Sequence, residues 1–204
     1  MPILKKYKVC RRMGVGLYEK CQTKQFADSV ERIRSNKKSA PKRQSDFAKQ
    51  HLEKQKARFM YGVSEKQFSG YVQEALEKAM KHKSTPALYV FQKLETRLDN
   101  TVYRLGLAKS RRMARQLVSH GHIAVNGRKL TIPSYSVKQD DLIEVREGSK
   151  SSKLFLEIEE SLKANKSPEW VLWDAKFKSA TVKGSPSNPD PLLNFQAVIE
   201  YYSR

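Results

Sequence analysis

Acidic residues are scarce in this sequence: 21 Asp and Glu stand against 40 Lys and Arg, a net charge of +19 at neutral pH. An imbalance of that size points to a polyanionic partner, with nucleic acid the first candidate and an anionic membrane surface the second. Cysteine is scarcer still. Cys10 and Cys21 are the only two, which excludes a disulfide framework and makes reduced thiols the simpler expectation. A closed structural zinc site needs four donors; with no Cys-x-x-Cys and no histidine before His51, no metal is expected. Long apolar runs are missing too. The stretch from Ala87 to Phe91 is about the longest, far below the roughly 20 residues a membrane helix requires. The start of the chain carries no apolar signal segment, so a cytosolic protein without membrane association is expected. There is no glycine-rich phosphate loop and no Gly-x-Ser-x-Gly elbow, hence no evident catalytic site and no expected cofactor.

What is present is unevenly spread. The 204 residues suffice for two small domains. Residues 1 to 60 hold 17 basic and 5 acidic side chains, residues 94 to 146 hold 10 and 5, and residues 147 to 204 hold 8 of each. The N-terminal segment is therefore expected to sit deepest against a polyanion, and the neutral C-terminal part to meet protein or solvent. The first 44 residues show little sustained periodicity. Such an arm is either a solvated tail or a segment that orders on RNA.

Residues 94 to 146 are the best patterned. Leu94, Leu98, Val102 and Leu105 recur at helical spacing, with Gly106 as a left-handed stop. Arg97 and Arg104 share the opposite face. Ser110 is placed to cap a second helix, in which Met113, Ala114, Leu117 and Val118 fall on one arc and Arg111, Arg112, Arg115, Gln116 and Ser119 on the other. Alternation then replaces helical period: residues 122 to 125 and 128 to 132 flank Asn126-Gly127, a pair suited to a type I′ hairpin. Residues 141 to 146 form a third expected strand. Two helices with a basic outer face on a small antiparallel sheet make a platform that tracks a phosphate backbone.

Arg97-Leu98-Asp99, Ser110-Arg111-Arg112-Met113-Ala114-Arg115-Gln116-Leu117-Val118 and Gly121-His122-Ile123-Ala124-Val125-Asn126-Gly127-Arg128-Lys129 resemble the S-four RNA-binding domain. Upstream, Gln44-Ser45-Asp46-Phe47 and Leu52 to Val63, and downstream, Ile132-Pro133-Ser134-Tyr135, resemble the family of the fourth small-subunit ribosomal protein. The resemblance spans about residue 42 to the C-terminus. It implies a structural protein bound to small-subunit rRNA at a five-way junction, early assembly, an effect on decoding accuracy near the mRNA entry path, and contact with the fifth small-subunit protein. It also implies residence in a cytoplasmic or organelle ribosome. Some relatives hold zinc through four cysteines near the N-terminus; this chain has two. The other class to be weighed is an RNA-modifying enzyme or ribosome-rescue factor that uses the same domain as an anchor. The former needs a large catalytic domain, and the latter lacks the segment from Ser45 to Val63.

An α+β architecture is expected: a basic arm over residues 1 to 44, a helical domain over 45 to 93 joined by a C-terminal helix from 190 to 204, and the RNA-binding domain over 94 to 189. Ser45-Asp46 caps a basic helix ending at Gly62, and Ser64 with Gln67 opens another, with Phe68, Tyr71, Val72, Ala75, Leu76, Ala79 and Met80 as its core face. Pro86 starts a helix running to Leu105 with a bend or break near Lys93. Leu154, Phe155, Ile158 and Leu162 suggest a short helix, Trp170 to Val182 two more strands, and Asp190-Pro191 the cap of the last helix. The expected RNA contacts are Lys42, Arg43, Lys49, Lys54, Lys56, Arg58, Arg97, Arg104, Lys109, Ser110, Arg111, Arg112, Arg115, Gln116, His120 and Lys129. His120 and His122 either contact phosphate or cap the preceding helix.

Overall fold

In the computed structural model the described residues are 5–35, 45–82, 85–152, 155, 168–174, 179–187 and 191–203. The chain divides into two units, Met1–Ala87 with Asp190–Arg204, and Leu88–Pro189. The architecture is α+β, helices throughout and one antiparallel sheet of five strands among the described residues.

The first unit contains α1 (Lys6–Met13), a single 3-10 turn (Glu19–Cys21), α2 (Lys24–Ser35), α3 (Asp46–Tyr61) and α4 (Glu65–His82). The N-terminal segment is not patternless: Cys10, Met13, Leu17, Cys21 and Phe26 are buried. Steps of three to five residues across two helices and a turn leave no single period in the sequence, which hides this small core. Cys10 and Cys21 are free thiols. Ser45 caps α3 by accepting from the Ala48 amide at 3.3 Å, and Gly62, at φ 62°, closes it. Ser64 likewise accepts from the Gln67 amide at 3.3 Å. Along α4, Phe68, Val72 and Ala75 are buried, Tyr71, Leu76 and Ala79 are half-buried, and Met80 is 79% exposed. The expected stripe therefore outruns its packing by a turn, and Met80 is not core. The last helix, α9 (Phe195–Tyr202), packs on α3 and α4. Its cap is Asn194, which accepts from the Ala197 amide at 3.0 Å; Asp190, expected as the cap, lies outside the described residues.

α5 (Pro86–Glu95), which belongs to the second unit from Leu88 on, and α6 (Leu98–Arg104) replace the single expected helix, and the break lies at Thr96-Arg97 rather than Lys93. The reason is visible in the backbone. The loop from Pro133 to Val137 crosses there: Leu98 and Asp99 amides donate to the carbonyls of Tyr135 and Pro133 at 2.8 and 3.1 Å, and the Val137 amide donates to Thr96 at 2.8 Å. These bonds satisfy the first amides of α6, which a free helix end leaves open. α7 (Arg111–Ser119) follows, capped by Ser110 accepting from the Met113 amide at 3.2 Å.

The strands are β1 (Ile123–Val125), β2 (Arg128–Lys129), β3 (Leu142–Val145), β4 (Val171–Asp174) and β5 (Ser179–Val182), in the order β2-β1-β3-β5-β4. The four-residue helix α8 (Glu147–Lys150) follows β3. Asn126 and Gly127 take φ of 51° and 74° at the hairpin, as a type I′ turn requires. Asn126 does more than turn. Its Oδ1 accepts from the Leu142 amide and its Nδ2 donates to Asp141, both at 2.8 Å, which ties the hairpin to β3. One side of the sheet, with Ile123, Val125, Ile143, Val145, Ala180 and Val182, packs with Leu98, Val102, Leu105, Ala114, Leu117 and Val118 of the helices. The helix expected around Leu154 lies outside the described residues except for Phe155, which is buried in this core.

Candidate nucleic-acid interface

Residues of α6 and α7 that the sequence places opposite the core divide into two groups. Arg112, Gln116, Ser119 and His120 are exposed, as are Lys109 just before α7 and Lys129 on β2. Lys129 crosses the backbone at Gly121 so closely that a Cβ there would lie 2.2 Å from its Cε. Glycine at this position, with φ of 76°, therefore serves both the turn out of α7 and the path of the lysine.

The second group is bound inward. Arg97 is only 2% exposed and donates through Nε and Nη2 to the two oxygens of Asp99 at 3.1 and 2.9 Å. The same Asp99 Oδ2 accepts from Arg115 Nε at 2.8 Å and lies 2.7 Å from Arg115 Nη2. Arg104 grips Glu95 through Nε and Nη2 at 2.9 and 2.8 Å. Asn100 donates to Glu95 Oε2 at 2.9 Å and accepts from Arg111 Nε at 2.8 Å, while the Arg111 guanidinium lies 4.5 Å from the Tyr103 ring centroid. Glu95, Asp99 and Asn100 are all buried. Ion pairs so deeply placed are not surface decoration. Removing one partner strands a charge, at a cost of roughly 3–5 kcal/mol.

Arg97 is thus a correction to the expected contacts, because a buried, doubly paired guanidinium cannot face RNA. Arg104, Arg111 and Arg115 keep partial exposure; the side chains of Arg104 and Arg115 are 30% and 28% accessible. Ser110 acts as a cap, its oxygen already engaged by the Met113 amide.

Three of the four basic residues of α3 are also drawn inward. Lys54 is buried, pairs with Glu65 at 2.8 Å and sits 4.5 Å from the Tyr201 ring centroid, so it too is removed from the expected interface. Lys56 pairs with Glu53 at 2.6 Å, and Arg58 donates to Gln55 and lies 3.5 Å from Glu65. Lys49 is exposed beside Asp46. Lys42 and Arg43 lie outside the described residues. Burial disfavours the Glu65 carboxylate, but hydrogen bonds from Lys54 and Tyr202 outweigh it and hold its pKa below the ordinary 4.5.

A further basic cluster lies in the N-terminal arm that the charge count places deepest against a polyanion. Lys8, Arg11 and Arg12 of α1 are exposed while Cys10 and Met13 face inward. Their spacing over one short helix is the signal in the sequence that points to it. Among the described residues no three His, Cys, Asp or Glu side chains gather as for a metal ion, and no helix is long and apolar enough to cross a membrane.

Burial first, then the neighbours His120 and Arg146, lower the pKa of His122 from its ordinary 6.5. Its Nδ1 lies 3.0 Å from Ser149 Oγ.

Comparison with known proteins agrees with this anatomy. Residues 3–95 match the family described as the ribosomal protein S4/S9 N-terminal domain, and residues 96–143 match the S4 domain. A protein of Roseiflexus sp. (strain RS-1) is 44% identical over 202 residues, covering 97% of this chain and 96% of that one. One of Thermus thermophilus is 42% identical over 207 residues, and one of Chloroflexus aurantiacus 42% over 211, with the same coverage. All three are named small ribosomal subunit protein uS4. With both halves matched and the relatives covered almost end to end, this chain belongs to the uS4 family of ribosomal proteins.

Proposed function

We propose that this protein is a structural component of the small ribosomal subunit, binding small-subunit rRNA at a multi-helix junction and catalysing no reaction. The observation that carries the reading is the face of α7: exposed Arg112 and His120 with Gln116, beside the partly exposed Arg104, Arg111 and Arg115, within the stretch that matches the S4 domain. Guanidinium groups and the free backbone N–H groups of helix N-termini bind phosphate, and such contacts set position rather than read sequence. RNA duplexes hide their base edges in a deep groove, so selection rests on the shape of the folded RNA. Family membership supports an ordinary place in the ribosome, and the names of the relatives speak for a subunit protein and against an enzyme.

The finer parts of the reading follow the family resemblance. They are early binding that seeds assembly, an influence on translational accuracy, proximity to the mRNA entry path, and contact with neighbouring proteins, the fifth small-subunit protein among them. The equal numbers of acidic and basic residues from 147 to 204 suit a surface that meets protein. The cytoplasm, or an organelle with its own ribosomes, is the corresponding location.

Binding of the full chain to a small-subunit rRNA fragment containing the junction, compared with a plain RNA duplex of equal length over a salt series, tests the reading. The junction is expected to bind more tightly, with affinity falling steeply as salt rises. Equal affinity for both RNAs overturns it.

A further inference from the structure

We propose, resting on the rRNA-binding reading above, that Glu95 and Asp99 are specificity-determining positioning residues, two buried carboxylates that hold Arg104 and Arg115 in one arrangement suited to folded RNA. Their burial is nearly complete, 2% and 3% exposed. A carboxylate beneath a phosphate-binding surface repels phosphate, so on charge alone both weaken RNA attraction. Their contribution is geometric. Arginine and lysine side chains carry much rotamer freedom, and a guanidinium clamped through two N–H groups has surrendered it before the ligand arrives.

The clamps are linked to one another. Asn100, 2% exposed, joins Glu95 to Arg111 by bonds of 2.9 and 2.8 Å, and the Tyr103 ring lies under the Arg111 guanidinium. Three guanidinium groups from α6 and α7 are therefore fixed by buried acceptors drawn from one short stretch of chain. A layer of freely turning cations adapts to any phosphate chain. A fixed one matches only phosphates that arrive at its own spacing, so discrimination rises while general attraction falls. Arg97 has no part in contact; lodged against Asp99 at 2.9 Å, it offsets that carboxylate's negative charge.

The test uses the full chain with Asp99→Asn and Glu95→Gln, measured against the junction fragment and the plain duplex, with thermal melting to establish folding. Each change removes a negative charge, so charge alone strengthens binding to both RNAs. Positioning instead lowers junction affinity by about tenfold while duplex affinity holds or rises. Asp99→Asn takes the Asp99 carboxylate charge from beside buried Arg97 and risks the fold. Glu95→Gln takes the Glu95 counter-charge from Arg104, whose side chain is 30% accessible, and one acceptor oxygen from Asn100, leaves the Arg97–Asp99 pair intact, and decides the matter if the first variant does not melt as the wild type does. Junction and duplex affinities that shift by the same factor in a folded variant overturn the proposal. A wild-type chain without junction preference overturns the rRNA reading itself, a separate result.

Discussion

Asp99 and Arg115 stand sixteen residues apart in the chain, yet a single carboxylate oxygen of the former lies 2.8 and 2.7 Å from two nitrogens of the latter. That pair joins the first turn of α6 to the middle of α7. It also divides the arginines of this region into those that support the fold and those that meet solvent, and the division has measurable consequences.

Arg97→Ala and Arg112→Ala are expected to behave oppositely. The first leaves Asp99 with half its counter-charge in a buried site and should cost about 3 kcal/mol of stability. The second removes an exposed side chain, should change stability by less than about 0.5 kcal/mol, and should reduce the slope of log affinity against log salt by at most about one. Urea denaturation and a salt series of RNA binding measure the two. An unchanged slope for Arg112→Ala removes that residue from the interface.

At Gly121 the backbone is left-handed and Lys129 passes within contact distance. Gly121→Ala should destabilise by about 1–2 kcal/mol, because alanine resists positive φ and its methyl group meets the lysine stem. Adding Lys129→Ala should recover part of the loss, the collision, while the backbone cost remains. Thermal melting of the single and double variants separates the two, and simple additivity would show that the lysine does not lie where the structure has it.

Acid should weaken the second unit through His122. Its pKa in the folded chain lies below the ordinary 6.5, so the unfolded chain takes up the proton first. The stability contributed by neutral His122 is complete above about 6.5 and is lost as pH falls through the lowered folded value. Denaturation midpoints at about pH 7.5 and about pH 5.5, either side of the ordinary histidine value, should differ in that direction, and His122→Asn should narrow the difference.

The two thiols should be inert in the native state. Cys10 and Cys21 are 0% and 3% exposed, and burial, then the adjacent Cys10 thiol, push Cys21 up to about 12. A thiol-specific reagent at neutral pH should label neither until local or global unfolding exposes them. Rapid labelling of the folded chain would show that the N-terminal core is open.

Local interactions were legible in the sequence. Ser45 and Ser110 cap helices because each oxygen reaches an amide three residues on. Asn126-Gly127 turns because those two residues tolerate positive φ. The inward arc of α7 follows from a 3.6-residue period. Each depends on neighbours a few positions away, and the sequence lays those out in order. Two things were decided only by tertiary structure. The N-terminal core from Cys10 to Phe26 assembles residues with no shared period, so packing alone reveals it. The fate of each cation is the other. Arg97 and Lys54 carry the same charge as Arg112, yet they are buried against carboxylates that folding brings beside them, whereas Arg112 is left in water. Opposite charges in a low-dielectric interior pair wherever the fold makes them neighbours, and sequence spacing does not encode which neighbours those are.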